Sequence, residues 1–274
     1  MIFIFVFHWG VEGAALATIM SQCVGLICNA VYLFRFQTIR LTKASFGLDM
    51  QIIGRIASLG FASCFNNLTS TVVAMISNNL LTKYGASSVY GPDIPITTFG
   101  LCMKVNVLAL SIGIGVASGS QPIIGFNYGA EKYDRVKKVF LLSAGVCSVI
   151  TLASWAIFQC FPLQLIRIFG TESDLYEEFA VQCFHIYLAL VFLDGLQLAA
   201  GIFFQAIGQP VKAAIASLSK QLLFYIPAML ICSYFWQLSG ILVAGPVADT
   251  LAFVLCAILC RRELKAMSAL PPKK

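Results

Sequence analysis

The chain has 274 residues, 59% of them hydrophobic and only 11% charged, with a formal net charge of +6 and a mean hydropathy of +0.87. A soluble domain carries about 25% charged residues because water must be faced on every side. A water-coated globule is therefore excluded, and the composition describes an all-α polytopic membrane protein whose surface largely faces lipid.

In chain order, the opening "MIFIFVFHWG" is apolar but too short to span. It also lacks the basic segment and small-residue cleavage site of a signal peptide. Apolar runs of about 20 residues, the length that crosses a bilayer, then predict seven helices. They lie near Ala14–Phe34, Ile52–Leu81, Ile96–Pro122, Val136–Cys160, Phe179–Ile207, Val211–Phe235 and Gly240–Cys260. Ile52–Leu81 is long and polar enough to kink or to extend past the hydrocarbon. Two longer connections stand out, "NYGAEKYDRVKK" and "FPLQLIRIFGTESDLYEE".

Basic residues set the orientation. Arg35, Arg40, Lys43, Arg55, Lys132, Arg135, Lys137, Lys138, Lys212 and five tail residues (Arg261, Arg262, Lys265, Lys273, Lys274) fall on one side. Only Lys83 and Arg167 fall on the other, so the first side and the C-terminus are expected to be cytoplasmic. The positive charge is a topology signal and not a nucleic-acid footprint. Seven spans then leave Met1 outside, which reads as a chain lacking preceding helices.

The ten cysteines sit in or beside apolar runs with no CxxC, and the only histidines are His8 and His185. Metal and disulfide chemistry are not indicated, nor is a nucleotide loop. No nucleophile–base constellation suggests an enzyme, and no cofactor is expected.

Four ionisable residues fall inside spans: Lys104, Asp194, Lys220 and Asp249. Such groups are costly in hydrocarbon and tend to face a bundle interior or an aqueous cavity. From Asp194, a helix places Gln197, Gly201 and Gln205 on one face, opposite Phe192, Leu196, Ala199 and Phe203. That is the pattern of a cavity wall, with the carboxylate about 19 Å from the cytoplasmic end. An interhelical pair holding the bundle together is the competing reading. Asp249, three residues after Pro246, is expected to bond backbone groups freed by that proline. Lys220 either snorkels to the cytoplasmic rim or pairs with a carboxylate, and Lys104 snorkels outward. In Ile52–Leu81 a second polar stripe, Ser63, Asn66, Asn67, Ser70, Ser77 and Asn78, suggests a substrate-facing wall. In the third span Gly115-xxx-Gly119 predicts close helix approach. Pro122 is expected to end or bend that helix, with Gly125, Asn127 and Gly129 in a turn before a basic amphipathic stretch on the anionic inner leaflet.

At this point the residues resemble a known family. "GSQPIIGFNYGAEKYDRVKK" (Gly119–Lys138) is similar to the cytoplasmic-loop signature of the multidrug and toxin extrusion (MATE) transporters, in their bacterial multidrug-export branch. "GVEGAALATIMSQ", "YGPDIPI", "FFQAIGQP", "SLSKQLLFYIP" and "GPVAD" follow in family order. The resemblance implies twelve helices in two six-helix lobes around a central cavity. This chain would then supply residues 1–35 as the last N-lobe helix, 36–50 as the inter-lobe linker, 51–262 as the C-lobe and 263–274 as a basic tail. It also implies a cation-coupled antiporter, driven by H⁺ or Na⁺, that exports amphipathic organic cations from the cell membrane. The remaining partners would be the lipid bilayer and a complementary N-lobe, with no nucleic acid. Some members carry a D-x-x-Q segment in the tenth helix that binds the coupling cation, and Asp194 and Gln197 match it. The Glu those members place in the seventh helix is replaced here by Asn66 or Asn67. Other branches couple through an N-lobe Asp that this chain lacks. The resulting candidates are Asp194 and Gln197 for the cation, Lys220 and Asp249 as charge partners, and Asn66, Asn67, Ser70, Gly201 and Gln205 as cavity lining. A lipid-linked oligosaccharide flippase of the same superfamily and a fragment that does not transport alone are the alternatives. The flippase would need more cavity cations than Lys104 and Lys220.

Overall fold

Among the described residues of the computed structural model, the backbone is almost entirely helical and contains no strand. Those residues are 9–34, 49–170 and 173–268; the side chains of 10, 11, 14, 33, 34, 52, 55–63, 65 and 66 lie outside the description. The expected linker 36–50 and the last six residues of the tail therefore fall almost wholly outside it. The helices are α1 (Gly10–Phe34), α2 (Met50–Ala86), α3 (Asp93–Gly129), α4 (Tyr133–Cys160), α5 (Pro162–Phe169), α6 (Asp174–Tyr187), α7 (Asp194–Ala206), α8 (Pro210–Leu218) and α9 (Ile226–Ser268).

The chain divides into two compact units, Met1–Ala57 and Ser58–Lys274, with the boundary inside α2. In the first unit α1 exposes Ile19, Val24 and Leu26. Its stretch Ala15–Tyr32 is apolar enough to cross a membrane.

The second unit holds two apolar cores. Phe99, Phe184, Tyr225, Met229 and Leu242 anchor one, joining α3, α6 and α9. Ile124, Phe140, Phe203 and Cys256 anchor the other, joining α3, α4, α7 and α9. Leucine and phenylalanine also cover the outside, with Leu142, Ile112 and Tyr234 among the most exposed side chains. That much apolar surface is the mark of a chain that meets lipid or another apolar partner.

Four helical stretches are long and apolar enough to cross a membrane: α1, α3, α4 and the continuous stretch Pro210–Ser268; α6 with α7 makes a fifth if the bent pair is one span. The 59-residue stretch cannot be a single rod. Lys220 Nζ lies 2.8 Å from Asp249 Oδ1, whereas 29 residues of straight helix would separate them by about 43 Å. The chain doubles back at Gln237, where φ is +48°. The backbones there approach so closely that a Cβ on Gly240 would lie inside van der Waals contact with Cys232. Tyr234, Phe235 and Trp236, all well exposed, cap this turn as an aromatic belt does at a membrane surface. The hairpin supplies two spans, which agrees with the expected helices at Val211–Phe235 and Gly240–Cys260. The expected span Ile52–Leu81 is present as the long α2, though its amides and hydroxyls leave it below the apolarity of the others.

Three local expectations are corrected. Pro122 does not end α3; the helix runs on to Gly129. An internal proline costs about 3 kcal/mol, but Ile124 just beyond it is 1% exposed, so packing holds the last turns. Gly125 and Asn127 are accordingly helical, and the turn is Ala130–Lys132, with Glu131 at φ +58°. A Cβ added at Gly115 or Gly119 would meet nothing within 4 Å; the close approaches on α3 are at Gly113 and Gly125, where a Cβ would lie 3.3 Å from Leu198 Cδ1 and from the Ala206 carbonyl oxygen. The longer connection after Cys160 carries α5, seated by the buried Ile166 and tied by Arg167 Nε to Glu177 Oε1 at 3.2 Å.

Candidate functional site

The expected continuous helix Phe179–Ile207 is broken. α6 ends at Tyr187, a 3-10 turn covers Val191–Leu193, and α7 starts at Asp194. The two helices meet at a 42° bend. Backbone groups freed by a break must be satisfied inside the bundle, and α4 does this. Trp155 Nε1 donates to the Ala189 carbonyl at 2.7 Å, and Thr151 Oγ1 donates to the Phe192 carbonyl at 3.0 Å. Gly195 allows the contact, because a Cβ there would lie 2.6 Å from Ser148 Cα. The break puts Asp194 in the first turn of α7, where the amide dipoles favour an anion.

Asp194 does not stand alone. Lys220 Nζ donates to Asp194 Oδ1 at 2.6 Å and contacts Asp249 Oδ1 at 2.8 Å. The side chains of Asp194 and Asp249 are 4% and 7% exposed, that of Lys220 26%. One lysine therefore bridges two buried carboxylates from α7 and α9. Lys220 lies in a π-helical segment, Ser219–Tyr225, where the Ile226 N–H bonds the Gln221 carbonyl five residues back. The wider turn precedes Pro227, which cannot donate to the helix, and such bulges re-aim the side chains they carry. Neighbouring Ser219 Oγ is buried with no hydrogen-bond partner among the described residues.

The structure thus brings together Asp194, Lys220 and Asp249. It does not send Asp249 to the backbone near Pro246, since the lysine competes better for a carboxylate; Thr250 Oγ1 instead donates to the Pro246 carbonyl at 2.8 Å. Gln197 sits one turn along from Asp194 and donates to the Ala216 carbonyl at 3.4 Å. Gly201 faces open space and Gln205 is exposed. The face therefore opens progressively from buried Asp194 to exposed Gln205, while Ala199 and Phe203 behind it are buried. On α2 the stripe divides. Ser77 is buried and donates to Met229 Sδ at 3.3 Å, whereas Ser70 is exposed and donates to Gln221 Oε1 at 3.0 Å, beside the lysine's own segment. Asn67 is exposed, and the side chain of Asn66 lies outside the described residues. Lys104 is exposed on α3.

A third buried acid was missed from sequence. Glu263 accepts from Lys212 Nζ at 2.5 Å and from Gln209 Nε2 at 2.7 Å, locking the α7–α8 turn, with Gly208 at φ +73°, onto α9. In "CRRELK" it reads as one charge of a solvated run, and only its burial sets it apart. All ten cysteines are free.

Curated relatives match the sequence, and solved structures match the fold. The chain is 23% identical over 266 residues to the FAD transporter of Shewanella oneidensis, spanning 94% of this chain and 56% of that protein. It is 25% identical to the multidrug export protein MepA of Staphylococcus saprophyticus, spanning 96% and 57%. The chain thus covers little more than half the length of these relatives. A MATE crystal structure in the straight conformation superposes with a TM-score of 0.83 at 20% identity, over 98% of this chain and 60% of the other. A MOP superfamily transporter from Pyrococcus furiosus gives 0.82 over the same shares. The MatE family model matches residues 62–231, more than half of the chain, from within α2 through the Asp194 break and past Lys220, so this multi-pass membrane protein belongs to the MATE family.

Proposed function

We propose that the chain forms the C-terminal part of a cation-coupled antiporter that exports amphipathic organic cations, with Asp194, Lys220 and Asp249 as its coupling centre. The observation that carries this is the sharing of Lys220 by two buried carboxylates at a broken helix. When all three groups are ionised, two carboxylates against one ammonium leave an excess negative charge in a low-dielectric site. An incoming H⁺ or Na⁺ competes with Lys220 for Asp194, and release of the lysine frees α7 to move against α9. Discontinuous helices at mid-membrane depth are the usual place for such exchange. The negative excess favours a cationic substrate over FAD, after which the Shewanella relative is named. Gln197 orients the turn below Asp194, and the face through Gly201 to Gln205, with Asn67 and Ser70 on α2, forms the substrate wall. The basic side is cytoplasmic, in the cell membrane, and a complementary N-lobe completes the cavity.

The test is efflux in a pump-deficient strain, comparing this chain, a full-length form with an N-lobe, and Asp194→Asn in that form. Asp194→Asn is expected to lower proton- or sodium-driven efflux at least about tenfold with expression unchanged. Undiminished coupled efflux would make Asp194 a purely structural pair, and resistance conferred by the 274-residue chain alone would remove the need for the N-lobe.

A further inference from the structure

At the basic end of the second unit, α4 and α9 diverge around a cleft of about 370 Å³. Its walls are apolar: Phe140 and Leu141 of α4, Leu196 of α7, and Ala257 and Leu264 of α9. Its rim is cationic, with Lys137 on one side and Arg261 and Lys265 on the other. Lys137 is held in place, donating to Ser268 Oγ at 2.8 Å and lying 3.8 Å from Asp134 Oδ1. The nearest acid on α9, Glu263, is turned away and occupied by Lys212 and Gln209. Arg261 and Lys265 are exposed with no carboxylate partner among the described residues. Leu141, on the wall, and its neighbour Leu142 are 60% and 70% exposed, so the apolar wall continues onto the outer surface.

We propose that this cleft binds one anionic glycerophospholipid of the leaflet on the protein's basic side. Three cations at headgroup level match a phosphate, and the apolar walls below them match an acyl chain. The order of the two chemistries along the membrane normal is that of the lipid itself. A cationic drug is repelled by the rim, and a soluble anion gains nothing from the walls. Basic pockets between spanning helices hold such headgroups, and each interfacial Lys or Arg contributes at most about a factor of five. The cleft is separate from the Asp194 centre and does not depend on its role. A lipid wedged there would brace α4 against the last turns of α9, the end that Glu263 ties to the α7–α8 turn.

Native mass spectrometry of the full chain in neutral detergent, with equimolar phosphatidylglycerol and phosphatidylcholine of identical acyl chains, tests this. Phosphatidylglycerol is expected to be retained about tenfold over phosphatidylcholine. The triple variant Lys137→Gln, Arg261→Gln, Lys265→Gln is expected to lose that preference. The triple variant Arg135→Gln, Lys138→Gln, Arg262→Gln, which removes equal charge nearby, is expected to keep it. Ala257→Phe, filling the acyl slot without touching the rim, is expected to lower phosphatidylglycerol retention several-fold. If a triple variant does not fold, the exposed single change Lys265→Gln is expected to lower the preference about threefold. Equal losses in both triple variants would reduce the effect to diffuse surface charge and overturn the site. So would unchanged binding in Ala257→Phe, or displacement of the lipid by millimolar inorganic phosphate.

Discussion

Asp194, Lys220 and Asp249 are each expensive in hydrocarbon alone and tolerable only together. Their residue types and depth were readable, because ionisable residues in apolar runs stand out. The face Asp194–Gln197–Gly201–Gln205 was readable from the helical period alone, and the structure opens it gradually toward the basic side. What the period could not supply was the partner of each charge. Asp249 looked committed to a proline three residues away, yet it meets a lysine 29 residues back through a chain reversal. Lys220→Met leaves both carboxylates buried without a cation. It is expected to destabilise the chain by about 3 kcal/mol, the scale of a broken buried pair, seen as a lowered thermal midpoint in detergent. The double variant Lys220→Met, Asp249→Asn removes one of the stranded charges and should recover part of that loss. A thermal midpoint unchanged by Lys220→Met would mean that water already screens the cluster.

At the scale of elements, most helices were legible and their interruptions were not. α1, α3 and α4 follow the apolar runs closely. The break before Asp194 contains no proline, and its cause lies in another helix: α4 offers Trp155 and Thr151 to the loosened carbonyls and yields space only to glycine at 195. Gly195→Val should therefore push α7 off α4 at a cost of about 1–3 kcal/mol. Trp155→Phe strands the Ala189 carbonyl and should cost about 1–3 kcal/mol. Both are measurable as lowered thermal midpoints, and faster amide exchange confined to residues 188–195 is expected in Trp155→Phe. Gly115 and Gly119 show the opposite failure. A small-residue spacing fits close approach, but the contact falls at Gly113 and Gly125 because the neighbouring helix α7 sets which side of α3 is crowded.

For the whole molecule, the composition and the basic asymmetry already required a polytopic membrane protein. The decisive tertiary event is the reversal at Gln237, which folds one long helical run into two spans. Its consequence is measurable. Spin labels at the exposed Val211 and Arg261 should lie within about 20 Å, since Lys212 contacts Glu263 at 2.5 Å, against about 75 Å for an uninterrupted helix. A pulsed dipolar distance near the larger value would remove the hairpin and with it the Lys220–Asp249 contact. Cysteine labelling from one face should likewise reach Val211 and Arg262 together and exclude Trp236.

Sequence alone determined the solvent, the helical class, the family and the polar face of α7, because each depends on local composition, period or motif. Tertiary structure alone decided that Lys220 bridges two acids, that α7 begins at Asp194, and that Glu263 is buried. Those outcomes depend on contacts between residues far apart in the chain, and no local pattern encodes which distant group will occupy the space beside a given side chain.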